Sequence, residues 1–171
     1  MKSVLAGVAF GVLAACTTIG GSPGESTADA RFRAIYETEW EWRKTLDPEE
    51  DEESPDADAA PRHWSRVDPA SQAERLAYMK NVIAKLDALE PQSLSPEAKI
   101  NLAIYRDQIE VRIAQIEFKE YEKPLNADST FWTNVASYGP KAFSSETQAR
   151  AWISRLNDAP RYFADETANM R

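Results

Sequence analysis

Residues 95–118, SPEAKINLAIYRDQIEVRIAQIEF, decide the fold. Ser95-Pro96-Glu97 is a helix start, with a capping hydroxyl and a proline at the first helical position. Apolar residues then fall on two stripes, Ile100, Ile104, Val111 and Phe118 on one, Leu102, Ile109, Ile113 and Ile116 on the other. A helix apolar on two sides is expected at the centre of a helical array. Unbroken from Pro96 to about Glu122 it would be ~40 Å long at 1.5 Å per residue, more than a small compact bundle needs.

Upstream, Asp68-Pro69 opens a helix whose stripe runs through Leu76, Met79, Ile83, Leu86 and Glu90, with Val82 and Leu89 beside it, and which stops before Pro91. Before that, Asp29 can cap a helix with Phe32, Ile35, Tyr36, Trp40 and Arg43 at helical spacing, ending near Leu46-Asp47-Pro48. Residues 47–67 between these helices read as an acidic loop. They carry Glu49-Glu50-Asp51-Glu52-Glu53 and prolines at 48, 55 and 61, a like-charge density that stays solvated. Downstream, Pro124-Leu125-Asn126 ends the central helix, and residues 131–138 form a short helix or turn closed by Gly139-Pro140. Ser145 with Gln148 resembles a capping box. It opens a helix with Trp152, Ile153 and Leu156 inward, and Pro160 begins a last amphipathic segment running to the end of the chain. No strand alternation, hairpin dipeptide or repeat competes, so the fold is expected to be all-α, a multi-helix array.

The first residues have a different character. Lys2, the apolar run 4–13 and Leu13-Ala14-Ala15-Cys16 form a bacterial lipoprotein signal. Leu13, Ala14 and Ala15 suit a signal-peptidase groove, and the Cys16 thiol would take a diacylglycerol. The apolar run is too short to cross ~30 Å of hydrocarbon and sits where a cleaved segment belongs. Several acyl chains on one cysteine exceed what stable anchoring needs. The expected organisation is therefore a signal peptide over 1–15, a flexible tether over 16–28 rich in Gly, Ser and Thr, and a helical region over 29–171. Thr17 after the cysteine, rather than Asp, points to the periplasmic face of the outer membrane, with the membrane itself the partner of Cys16.

A net charge of −8 argues against nucleic acid, whose phosphates demand a basic face. The only cysteine is the lipid site, so neither a disulfide nor a thiolate metal site can be built. His63 is the only histidine, which removes every His-based zinc spacing, and it reads as an exposed loop residue. A Ser-His-Asp site would have to use it and has no G-x-S-x-G elbow. The acidic loop lacks a calcium-loop register. Trp40 and Trp42, two apart on a helix, face roughly opposite ways, so one is core and the other a second contact. Trp132 and Trp152 read as core. Glu117 and Glu120 are the kind of carboxylate pair common on exposed helix faces.

Four blocks in order carry a resemblance: Glu39-Trp40-Glu41-Trp42-Arg43, the run LDALEPQSLSPEAKINLAIYRDQIE over 86–110, Pro124-Leu125-Asn126-Ala127-Asp128-Ser129 with Phe131-Trp132, and Ala159-Pro160-Arg161-Tyr162-Phe163. Together, over about residues 31–171, they resemble the bacterial domain-of-unknown-function family 885. The resemblance implies a larger helical, zincin-like fold, in envelope lipoproteins similar to zinc-dependent peptidases of the carboxypeptidase Taq type. The family's metal signature is an H-E-x-x-P-G-H helix in the C-terminal half. No residue of this sequence matches that signature, so no catalytic or metal-ligating residue carries over. The acidic insert of residues 47–58 also departs from the shorter loop of many members. The resemblance thus implies an N-terminal scaffold piece of a lipid-anchored zinc peptidase, inactive alone. Zinc and a peptide substrate are expected only with the C-terminal half. The alternative is a non-enzymatic helical envelope lipoprotein that binds a protein partner through the two-sided helix.

Overall fold

The computed structural model describes residues 26–46, 62–125, 130–137 and 142–170. Five α-helices follow one another there: α1 (Thr27–Leu46), α2 (Pro69–Asp87), α3 (Pro96–Glu117), α4 (Phe131–Ser137) and α5 (Glu146–Asn169). Single 3₁₀ turns at Pro91–Ser93 and Glu120–Glu122 flank α3. The described residues hold no strand beyond one isolated bridge, Leu125 with Thr130. The all-α expectation holds.

The helix starts obey their local chemistry. Asp68 accepts from the Ser71 amide at 3.1 Å, Ser95 from the Ala98 amide at 3.1 Å, and Ser145 from the Gln148 amide at 3.1 Å. Each cap of this kind contributes about 1 kcal/mol. The first helix differs from expectation. It begins at Thr27, inside the stretch read as tether, and its cap is Ser26, whose hydroxyl accepts from the Asp29 amide at 3.0 Å. Asp29 reaches across instead and accepts the Ser95 amide at 3.0 Å, fastening the start of α1 to the start of α3. That bond holds the Asp29 carboxyl below its usual range.

Contacts fix the directions of the first three helices. Lys80 pairs with Glu117 and Asp87 with Arg106, so α2 and α3 run antiparallel. Trp42 stacks on Tyr78, and Arg75 donates to the Leu46 carbonyl, so α1 is antiparallel to α2 as well. Phe32, Met79, Val82, Leu86, Leu94 and Ile109 make the first core, with Leu102 and Ile113 against it. Each such side chain contributes about 1.5–3 kcal/mol by leaving water.

Two expectations about the long helix fail. It stops at Glu117 because Lys119 turns into the left-handed region (φ 54°), a conformation that ends helices. Nor is it central among the described residues. Its Leu102, Ile109, Ile113 stripe is covered, whereas Ile100 (62% exposed), Ile104, Val111 and Phe118 (77% exposed) face outward.

The second core gathers Trp64, Phe131 and Tyr162, with Trp152 and Ala159 against them. Here α5 departs from expectation in two ways. It runs through Pro160 without a break, and its inward face is Ala151, Arg155, Tyr162, Glu166 and Asn169, while Ile153 and Leu156 are exposed. The cause is the neighbour. Residues 62–67, expected to be the end of a solvated loop, lie along α5 as a non-helical strap whose backbone polar groups need partners.

Candidate functional site

Polar residues converge at two buried places. The first lies under α1. Glu39 sits in phase with Phe32 on the inward face and is 0% exposed. A buried carboxylate is costly unless charge and hydrogen bonds answer it. Arg43, one turn on, supplies both, with Nε 3.0 Å from one oxygen and Nη2 donating to the other at 3.2 Å. Tyr105 of α3 donates its hydroxyl to Glu39 at 3.2 Å. Burial, and then the facing carboxylate, push the Tyr105 phenol far above its ordinary value. This phenol stays protonated and ties α3 to α1. The stacked pair Trp42–Tyr78, centroids 3.6 Å apart, flanks the charges.

The second place is the strap on α5. The Trp64 indole N–H donates to the Arg155 carbonyl at 3.0 Å and its amide to Asp158 at 2.9 Å, while its carbonyl accepts from Arg161 at 2.7 Å. These three partners bracket Pro160. The Arg155 guanidinium lies 3.8 Å from the centre of the Trp64 indole, and Trp152 meets that indole edge-on. Two turns beyond Arg161, Asn169 donates to the Val67 carbonyl at 2.7 Å. Arg161 also holds Asp158, and this keeps the Asp158 carboxyl below its usual range against the opposing effect of burial. Glu166 is shifted the other way, upward, chiefly by burial, although the Tyr162 hydroxyl bonds to it.

The residues singled out from sequence are scattered. Leu13, Ala14, Ala15 and Cys16 lie outside the described residues, as does the acidic run over 47–58. His63 is exposed, its Nδ1 3.2 Å from the Trp64 carbonyl oxygen. Trp42 is the core indole and Trp40 the outer one, with Arg43 4.8 Å from its ring centre. Trp152 packs into the second core, but Trp132 is half exposed, contrary to expectation. Glu117 pairs with Lys80, and Glu120 sits in the 3₁₀ turn after α3. Among the described residues there is no group of three or more His, Cys, Asp or Glu that could hold a metal ion. No described helix is long and apolar enough to cross a membrane.

Sequence reasoning missed Glu39, Trp64 and Arg155. Glu39 was signalled by its phase with Phe32 and its spacing to Arg43. Trp64 was signalled only by being a large aromatic beside a charged stretch, where nothing local holds it.

Two helices also expose apolar residues. Ile100, Ile104, Val111 and Phe118 form one stripe along α3, and Ile153, Leu156, Phe163 and Met170 another along α5, all at least one third exposed. Monomeric proteins seldom leave contiguous apolar surface uncovered unless it is an interaction site.

The profile of a family described as bacterial protein of unknown function (DUF885) matches residues 53–171. No curated protein and no solved structure matches the chain.

Proposed function

The chain belongs to the DUF885 family, and on that premise we propose that it is the helical scaffold of a lipid-anchored envelope peptidase of the zinc type, tethered through Cys16. One observation carries the reading. The four residues Ile100, Ile104, Val111 and Phe118 lie on the side of α3 opposite its core stripe, at the spacing with which helices seat one another. A surface helix needs only one apolar face. The second face is what a helix has when further helices pack on it. In this reading those helices bring the metal-binding histidines and the catalytic acid, and the present chain supplies a rigid wall. The side-chain caps, the Glu39–Arg43–Tyr105 tie and the Trp64 strap suit that role, since they fix geometry.

The test mixes the 171-residue chain with a separately produced helical segment of a family member that contains H-E-x-x-P-G-H. Association should slow hydrogen exchange along α3 and give a chelator-sensitive peptidase. Val111→Asp should abolish association while leaving the helix content of the chain unchanged. Wild-type chain should label with palmitate in a Gram-negative host, and Cys16→Ser should not. Peptide hydrolysis by the chain alone, or exchange along α3 that is indifferent to the segment, would overturn the scaffold reading.

A further inference from the structure

A cleft of about 270 Å³ opens between α1, α2, α3 and the 3₁₀ turn after α3, and its composition runs against that of the protein. The chain carries a net charge of −8, yet three arginines from three different helices, Arg43, Arg75 and Arg112, line this one depression. Among the described lining residues Glu120 is the only acid. Trp42 and Tyr121 line the same cleft, with Met79 and Ile116. We propose that this cleft binds a small organic carboxylate, with its oxygens on the arginines and an aromatic or aliphatic body against Trp42 and Tyr121.

Three physical points lead there. Guanidinium groups match the planar fork of a carboxylate and are less strongly hydrated than ammonium groups, so they are the cations suited to such a site. Each carries five N–H donors, so an arginine already tied to the protein can also hold a ligand oxygen. Arg43 is such a case: Glu39 anchors it from behind, and Arg75 is likewise fixed by donating to the Leu46 and Arg66 carbonyls. Groups held in place before binding lose little freedom when a ligand arrives. The apolar lining then selects among anions. A bare inorganic ion gains nothing from Trp42, Tyr121, Met79 and Ile116, whereas an organic acid buries its body there. The site lies on the covered side of α3, away from the Ile100–Phe118 stripe, and does not depend on the scaffold reading.

The probe is N-acetylphenylalanine, titrated into the full 171-residue chain by calorimetry and followed at the Trp42 indole resonance. Its neutral amide and inorganic phosphate are titrated in parallel. The acid should bind and shift the Trp42 resonance, and raised salt should weaken it. The amide should bind at least tenfold more weakly, because a hydrogen bond to a charged group is lost. Arg112→Gln should weaken the acid about tenfold. So should Gln115→Glu, which sets a carboxylate at an exposed position on the rim and does not disturb the core. Equal binding of acid and amide would overturn the proposal by showing an apolar crevice only. Phosphate binding as tightly as the acid would overturn the assignment of an organic ligand. No binding of the acid would overturn it outright.

Discussion

Trp64→Ala tests the feature that organises the second half of the molecule. The side chain is 1% exposed, stacks on Tyr162, meets Trp152 edge-on and lies under the Arg155 guanidinium. Truncating a buried tryptophan costs about 3–5 kcal/mol through lost transfer energy and the cavity left behind. Loss of the cation–π contact, about 1–2 kcal/mol when desolvated, sits partly within that figure. The Arg155 carbonyl also loses the indole donor. A destabilisation of about 4 kcal/mol follows, and at about 2–4 °C per kcal/mol for a domain of this size the melting temperature should fall by roughly 8–16 °C. Trp64→Phe keeps most of the packing and loses the indole N–H, so about 1–2 kcal/mol is expected. Urea unfolding followed by circular dichroism measures both. If residues 62–67 were part of a solvated loop, Trp64→Ala would change stability by less than about 0.5 kcal/mol, as surface substitutions do. A value under 1 kcal/mol would refute the strap.

Ile109→Asp and Val111→Asp, two residues apart on α3, should behave oppositely. The first places a carboxylate at a site 1% exposed and should unfold much of the population, whereas the second, 49% exposed, should stay within about 0.5 kcal/mol of wild type by thermal melting. The two shifted carboxylates on α5 give pH dependences of opposite sign. Asp158 has a folded pKa below its unfolded value near 3.9, so it stabilises the fold above that value, and the contribution is lost as pH falls through the folded pKa. Asp158→Asn should therefore lower the melting temperature at pH 7 and converge on wild type in acid. Glu166 has a folded pKa above its unfolded value near 4.3, so its penalty is absent below that value and grows as pH rises through the interval between the two. Glu166→Gln should raise the melting temperature at pH 7 and lose its advantage toward pH 4. Parallel shifts in both variants would refute the assignment of charge to these two positions.

The parts of this fold that are written locally were readable in the chain. Asp68-Pro69, Ser95-Pro96 and Ser145 with Gln148 each mark a helix start because a cap involves residues two or three apart, and all three side chains bond as their spacing demands. Orientation was harder to read. Hydrophobicity alone puts Ile153 and Leu156 inward, but the partner of the inward face is a backbone strap, which calls for Arg155, Glu166 and Asn169 instead. Nothing within ten residues of α5 reports that partner. The stop at Lys119 is illegible for a related reason, since a lysine carries no glycine-like signal for a left-handed stop. Of the candidate site, the two-sided apolar pattern of α3 was legible as periodicity. The arginine cleft was not, because Arg43, Arg75 and Arg112 come from three separate helices.

The two cores make the molecule a pair of cooperative units of unequal independence. Helices α2 and α3, neighbours in sequence, share one cluster with α1, which is tied to α3 across 66 residues, while α4 and α5 share another with Trp64. The hydrogen bonds that fasten the strap join residues 91 to 102 positions apart. Contacts between near neighbours form fast, whereas distant ones wait on closure of a long loop. On refolding, the α2–α3 pair should acquire amide protection first, α1 next and the α5 unit last. In the native state the order reverses: α5 should release as one block at a free energy below that of global unfolding, and the strap around Trp64 is the latch that sets how often it does.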